Sequence, residues 1–251
     1  MATKIALIIE YDGTEYHGSQ FQINSPTIQG EMEKALKKLT GEKIRIAMAS
    51  RTDAGVHAKG QVASFRTRSA FSPEVWVKAL NFYLPMDIAV KAAYQVSEGF
   101  DVRRDALKRI YQYYLLNGFT RSPLMRRFAY FFPKPLDVEA MGEASRVLIG
   151  EHDFAPFSWL KGGNTRRTVY EAEISRKEGV VIFEMAANSF LPHQVRNTVG
   201  GLIKVGSGRI AVEDFHKLAR SGQAGVVGPS APAHGLCLVR VEYSHFPLGE
   251  Q

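Results

Sequence analysis

Cysteine is almost missing from this chain: Cys237 is the only one in 251 residues. No intramolecular disulfide is possible, and no zinc site can be built on several thiolates. Cys237 stands in Leu236-Cys237-Leu238-Val239, a setting that predicts a buried small hydrophobe. No apolar run approaches the ~18 residues of a membrane span, so none is expected. The short apolar run near the start ends at Glu10 and Asp12. Without a small-residue cleavage site after it, it reads as a strand of a cytoplasmic protein rather than a signal peptide. Ligand patterns are also missing. His193 has no second His or carboxylate at i+3 or i+4, and His17, His57 and His234 are scattered, so no metal centre is expected. Acids are in deficit, 25 against 32 Lys and Arg, for a formal charge of +7. That balance points to a polyanionic partner without identifying it, since an ordinary basic enzyme carries the same charge.

Hydrophobic residues make up 45% of the chain, enough for a substantial core, and the length allows one large domain or two ordinary ones. Lys4 to Tyr11 is nearly continuously apolar, as in a strand buried on both faces. A helix follows, capped by Ser25 or Thr27, with Ile28, Met32, Leu36 and Leu39 at helical spacing. Lys43 to Met48 alternates as a strand, and so does Gln61 to Thr67. Ser72-Pro73-Glu74 opens a second helix to about Tyr83, and Ile88 to Val96 is a strand. Strand, helix, strand, strand, helix, strand is the split βαβ, or ferredoxin-like, order.

The second half runs in a similar order. Arg109 to Leu116 is strand-like, and Asp137 to Leu148 is a helix stopped by Gly150. Arg167 to Ser175 and Val180 to Ala187 form a hairpin around Lys177-Glu178-Gly179. Helices follow from about His193 to Val205 and from Val212 to Arg220, and Leu236 to Tyr243 closes as a strand. The similarity of the halves lies in element order alone. The expected division is 1–105 and 106–251.

Between the strands ending at Met48 and beginning at Gln61 lies a loop too long for a tight hairpin. It holds Arg51, Asp53 and His57 beside Gly55. Two readings of Asp53 stand side by side. It could serve an Asx-turn with Arg51 as a surface ion partner, or it could be a functional carboxylate presented by a loop between rigid strands. Downstream, Lys108-Arg109-Ile110-Tyr111-Gln112-Tyr113-Tyr114 is basic and aromatic together. Alternation puts Tyr111 and Tyr113 on one face and Gln112 and Tyr114 on the other. Further basic clusters include Arg121, Arg126 and Arg127, then Arg166 and Arg167. Such clusters suit phosphate contacts to a structured RNA, although each is individually more often a solvated face.

The ordered string Arg51-Thr52-Asp53-Ala54-Gly55-Val56-His57-Ala58, followed by Gly60-Gln61-Val62, resembles the active-site loop of the tRNA pseudouridine synthases that modify positions 38 to 40. The residue before the string is usually Gly; here it is Ser50. Tyr111 and Tyr113 match an aromatic pair of that family, and Asn188 to Gly200 resembles its helix start with an inward Arg, here Arg196. The loop Tyr16 to Gln22 is also similar, with Ser19 where an aromatic is usual. Phe100-Asp101-Val102-Arg103 keeps only the Arg of a family Phe-His-Ala-Arg pattern.

The resemblance implies two ferredoxin-like subdomains packed edge to edge around a central cleft. It implies isomerisation of uridine to pseudouridine at positions 38, 39 and 40 in the anticodon stem-loop of tRNA. Asp53 would be the catalytic carboxylate, Tyr111 would act at the base, and Arg196 would pair with Asp53 across the cleft and keep it ionised. Arg51, His57, Tyr111 and Arg103 would contact RNA. No cofactor is needed, because no group is gained or lost, and a homodimer is expected. Two other functions share these residues. One is a non-catalytic RNA-binding protein on the same fold. The other is a uridine nucleosidase using Asp53, against which stands the lack of a second acid in the loop.

Overall fold

The computed structural model describes residues 2–160 and 162–244. The apolar run near the start forms β1 (Thr3–Tyr11), with Ala6, Leu7 and Ile9 fully buried. Helix α1 (Ile28–Thr40) starts where Thr27 Oγ1 accepts from Gly30 N, a side-chain cap of the usual kind. Its buried stripe is Ile28, Met32, Ala35 and Leu36, and Gly41 ends it in the left-handed region (φ 73°), where a glycine carries no Cβ penalty. Strands β2 (Ala47–Met48) and β3 (His57–Thr67) follow. Then come α2 (Pro73–Tyr83), capped by Ser72 with Pro73 in its first turn, and β4 (Ile88–Val96). Trp76 of α2 is fully buried between Phe65 and Phe71, edge-on to both rings.

The remaining elements are β5 (Ala106–Asn117), β6 (Tyr130–Phe132), α3 (Val138–Ser145), β7 (Gly150–Asp153), β8 (Arg166–Lys177), β9 (Val180–Ala187), α4 (Gln194–Gly206), α5 (Val212–Ala219) and β10 (Leu236–Tyr243). The chain divides into two compact units. The first is Met1–Arg109 with Leu238–Gln251, and the second is Ile110–Cys237. Compactness thus groups the closing strand with the first unit, whereas the sequence reading placed everything from residue 106 onward in the second. The physical reason is pairing: β10 lies hydrogen-bonded beside β3.

In the first unit the strand order is β4-β1-β3, with β2 and β10 both pairing β3. Neighbours β1–β3, β1–β4 and β2–β3 are antiparallel, which is the ferredoxin-like arrangement. One expectation fails here. The alternating segment Lys43 to Met48 contributes only Ala47 and Met48 to the sheet. The Ile46 N–H goes to the Glu33 carboxylate (3.1 Å). The facing groups at the end of β3, Thr67 Oγ1 and the Arg68 N–H, donate to Glu42 at 2.7 and 3.2 Å. Side-chain acceptors replace the ladder, and the segment bows away from β3.

In the second unit the order is β5-β9-β8-β7, with β6 parallel to β5. The hairpin β8–β9 turns through Glu178 and Gly179, both at positive φ (50° and 79°), as a two-residue type I′ turn requires. The expected helix 137–148 is α-helical only over Val138–Ser145 and ends in a 3₁₀ turn, Arg146–Leu148. Phe154, Phe157, Phe183 and Phe215 fill this core. Cys237 is buried and forms no disulfide, as expected of a small hydrophobe.

Candidate active site

The loop joining β2 to β3 is residues 49–56, shorter than the sequence suggests because β3 begins at His57. Its backbone is held from both sides. Gln61 is fully buried on β3. Its side-chain oxygen accepts from the Ser50 N–H (3.1 Å), and its amide nitrogen donates to the Ser50 carbonyl (2.7 Å). Two residues on, Ser19 does the same to Thr52: its hydroxyl accepts from the Thr52 N–H (2.9 Å), and its own N–H donates to the Thr52 carbonyl (3.0 Å). Ser19 is 1% exposed. The Thr52 side chain in turn shares a hydrogen bond with the Tyr11 hydroxyl (2.8 Å). Strand-like backbone clamped at Ser50 and Thr52 sends the intervening Arg51 outward, by the two-residue alternation of extended chain. Asp53 follows, half-buried, its carbonyl accepting from the Val56 N–H (3.2 Å) in a turn completed by Gly55 (φ 76°).

The loop after β1 lies directly against this turn. A Cβ on Gly13 would stand 2.0 Å from the Val56 carbonyl oxygen, so only glycine fits there. Tyr16 supports the same loop. Its carbonyl accepts from the Gly55 N–H, and its hydroxyl donates to Asp87 at 2.6 Å. Burial, and then the Asp87 carboxylate, push that hydroxyl well above the usual tyrosine range, so it stays a donor. His57 is 4% exposed, and its Nδ1 accepts from the Gly13 N–H (3.0 Å). It ties β3 to the β1 loop. Arg51 is exposed, and its side chain has no partner among the described residues.

Two further arginines hold the approach to the loop. Arg103 Nε donates to the Met48 carbonyl (3.0 Å), and its side chain remains exposed. Arg109 is buried and donates to the carbonyls of Ala106 (2.9 Å) and Arg103 (2.7 Å). It organises main chain rather than facing solvent, although composition had grouped it with the RNA-facing cluster.

In the second unit, Tyr111 and Tyr113 share the buried face of β5, while Gln112 and Tyr114 share the other. There the Tyr114 hydroxyl donates to Gln112 (2.5 Å), and Gln112 donates to Glu184 (2.6 Å). The two buried tyrosines differ. Tyr113 is fully enclosed and its hydroxyl donates to the Pro232 carbonyl (2.8 Å). Burial raises that hydroxyl far above the ordinary tyrosine range. Tyr111 packs edge-on against Phe190, with ring centroids 5.1 Å apart.

Arg196 is on the first turn of α4. Its Nε donates to the Ala231 carbonyl (2.8 Å), its NH1 lies 3.2 Å from His193 Nδ1, and its own carbonyl accepts from the Ala231 N–H (3.0 Å). His193 enters the helix in the left-handed region (φ 61°), uncommon for a residue with a side chain. The Leu191 N–H donates to the buried Gln194 side chain (2.8 Å), closing that entry. Nearly all of α4 is buried. The 227–231 segment approaches so closely that a Cβ on Gly200 would stand 1.9 Å from the Pro229 oxygen. Asn197 anchors both sides of that packing, donating to the Phe157 carbonyl (2.9 Å) and accepting from Ser230.

Sequence reasoning missed Ser19, Gln61 and Tyr11 as supports of the Asp53 loop. Tyr11 alone carried a signal, a hydroxyl at the end of the apolar β1 run that needs a partner. Ser19 and Gln61 lie in polar or mixed stretches, and only packing shows them buried.

A family model described as tRNA pseudouridine synthase matches residues 7–105 and 144–244. A protein of Roseiflexus castenholzii named tRNA pseudouridine synthase A is 47% identical over 245 residues, covering 95% of this chain and 90% of that one. Proteins of the same name from a Thermoanaerobacter species and from Moorella thermoacetica are 40% and 41% identical, each covering 95% of this chain and 99% of their own. The matched segments take in both the Asp53 loop and α4, and the chain belongs to the tRNA pseudouridine synthase family.

Proposed function

We propose that this protein isomerises uridine to pseudouridine at positions 38, 39 and 40 of the tRNA anticodon stem-loop, with Asp53 as the catalytic carboxylate. The observation that carries this is a carboxylate in a loop whose backbone is gripped on both sides, within a chain of this family. Such rigidity suits a group that must meet one carbon at a fixed distance, since a misplacement of ~1 Å can cost about a hundredfold.

In the reaction the C1′–N1 bond breaks, the uracil turns, and a C1′–C5 bond forms. The C5 proton leaves and N1 gains one, so atoms balance and no redox partner or cofactor is required. Asp53 acts as the nucleophile at C1′ or C6, or assists glycal formation. Tyr111 stands at the base, stacking on it or serving proton transfer from C5. Arg196 supplies the positive charge that keeps the carboxylate ionised. Arg51 and Arg103 bind phosphate, and His57 acts by holding the Asp53 loop. Taking a stacked uridine out of the helix costs a few kcal/mol, which tRNA binding offsets. We propose that the protein acts in the cytoplasm as a homodimer, the first unit carrying the Asp53 loop and the second Tyr111 and Arg196.

The test uses unmodified tRNA labelled with tritium at uracil C5. Label released to water without free base is expected. Free uracil would make the protein a nucleosidase, and neither product would make it a binder.

A further inference from the structure

The segment that bows away from β3 opens a groove of about 780 Å³ within the first unit. It is lined by six cations, Lys4, Lys43, Arg45, Arg51, Arg66 and Arg103, and by only two carboxylates, Glu42 and Asp101. Both carboxylates are occupied by the fold. Glu42 accepts from Thr67, Ser69 and the Arg68 N–H. Asp101 accepts from the Arg103 and Arg104 N–H groups at 2.9 Å each. These bonds hold both carboxyls below their ordinary range, so they stay ionised acceptors for the backbone.

The cations are far less committed. The Lys43 and Arg51 side chains have no partner among the described residues. Arg45 and Arg66 pair with Glu33 and Glu98, but their own side chains are 65% and 62% exposed. The Arg66–Glu98 pair is exposed on both sides, so it is weak and screened by salt. Arg45 is tied more firmly, to a Glu33 only 15% exposed and over the Phe21 ring, but keeps its open side toward the groove. A phosphate can therefore share or replace them. Arg103 spends its Nε on the Met48 carbonyl, and its exposed side chain lines the groove. Six cations around one open groove, two of them without a side-chain partner among the described residues, are chemistry for several phosphodiesters rather than for one small anion.

Arg51 joins this groove to the Asp53 loop, because it lines the one and belongs to the other. We infer that the groove holds the sugar–phosphate strand of the substrate tRNA's anticodon arm, next to the uridine presented to Asp53. This rests on the proposed function. It adds a binding surface formed by Lys4, Lys43, Arg45 and Arg66, none of which the sequence motifs single out. The surface exists because Glu33 and Glu42 take hydrogen bonds that a regular edge strand would have used.

Two measurements test it, and both read binding, so they decide the groove even if the protein were to make no pseudouridine. First, the double variant Lys43→Ala/Arg66→Ala is compared with Lys37→Ala/Lys38→Ala, exposed positions on α1 outside the groove. Filter binding to tRNA across a salt series should show a log–log slope shallower by about 1.4 to 1.8 for the groove variant, and affinity roughly tenfold weaker at low salt. The α1 variant should match wild type in slope, and both should melt at the wild-type temperature. Equal slopes for groove variant and wild type overturn the inference. So does an equal loss in the two double variants, which would mean net charge alone. Second, Lys43→Cys is labelled with a photo-crosslinker, the natural Cys237 being buried. Crosslinks should fall on anticodon-arm nucleotides. Crosslinks confined to another part of the tRNA, or none, overturn the assignment.

Discussion

The Asp53 loop and the start of α4 hold their charged residues by opposite means. The loop is held by side chains reaching to backbone: Ser19 grips Thr52, Gln61 grips Ser50, and His57 grips Gly13. Helix α4 is held chiefly by close main-chain approach, with Gly200 pressed on Pro229 and the Ala231 N–H bonded to the Arg196 carbonyl, and the Arg196 and Asn197 side chains close the same contact. A polar clamp fixes a short irregular segment that has no ladder of its own. A glycine contact fixes a regular element by leaving no space to move. The loop should therefore fail by losing geometry while the fold survives, and the helix should fail by losing stability.

The largest expected effect belongs to Asp53→Asn. The shape stays, but the charge and nucleophilicity go, so single-turnover pseudouridine formation should fall by roughly 10³-fold or more, with tRNA binding retained. If Asp53 only closed a turn, Asn would serve nearly as well, and near-normal turnover would end the catalytic assignment.

Next comes the contrast itself. Gly200→Ala forces a methyl into a carbonyl oxygen, and such overpacking costs typically ~1–3 kcal/mol. Its melting temperature should drop clearly below wild type. Unchanged melting would mean that the backbone yields and that the close contact holds nothing.

Gln61→Leu should act on the other side of the comparison. It leaves the Ser50 N–H and C=O without their partners, at about 1–3 kcal/mol. Because the backbone before Asp53 is then free to shift, kcat should fall about ten- to a hundredfold, with KM close to wild type. Ser19→Thr should retain more activity than Ser19→Ala, since the hydroxyl remains. A Gln61→Leu enzyme with lower stability and unchanged kcat would make the clamp merely structural.

The smallest effect is a pH effect shared by the two units. Tyr113 in the second and Tyr243 in the first are pushed up chiefly by burial, and the Tyr243 hydroxyl donates to the Val102 carbonyl at 2.7 Å. A raised folded-state value means that the native protein keeps protons the unfolded chain has released. Stability is then unaffected below ~10, the unfolded value, and declines as pH rises above it. Tyr243→Phe should lose about 1 kcal/mol at neutral pH and show a shallower decline in melting temperature above pH ~10. An equally steep decline would assign the alkaline loss to other groups.

Legibility in the sequence followed how local the cause was. Ile88–Val96 and Leu236–Tyr243 form with the predicted bounds, because alternation and breakers lie within each segment. The cap at Ser72 and the turn at Glu178-Gly179 were legible for the same reason. The Lys43 to Met48 segment was not. Its alternation is a strand's, but Glu33, thirteen residues before Ile46, takes the hydrogen bond the strand needed. β6 and β7 are three and four residues long, too short for a period to show. Among site residues, Asp53 stood out by its ordered string. His57 and Arg109 were read as outward-facing because charge and polarity say nothing of burial until partners are known.

What the sequence by itself determined is the element order, the positions of caps and turns, the family, and the carboxylate at Asp53, since each is written in neighbouring residues or in one contiguous motif. Tertiary structure alone decided that Ser19 and Gln61 grip the loop, that Arg103 bonds to the Met48 carbonyl just before it and Arg109 to the Arg103 carbonyl, and that a basic groove opens beside it. Most of these join residues far apart in the sequence, as Ser19 to Thr52 and Arg103 to Met48, and a buried polar group's partner is fixed by where the packed apolar core leaves backbone unpaired.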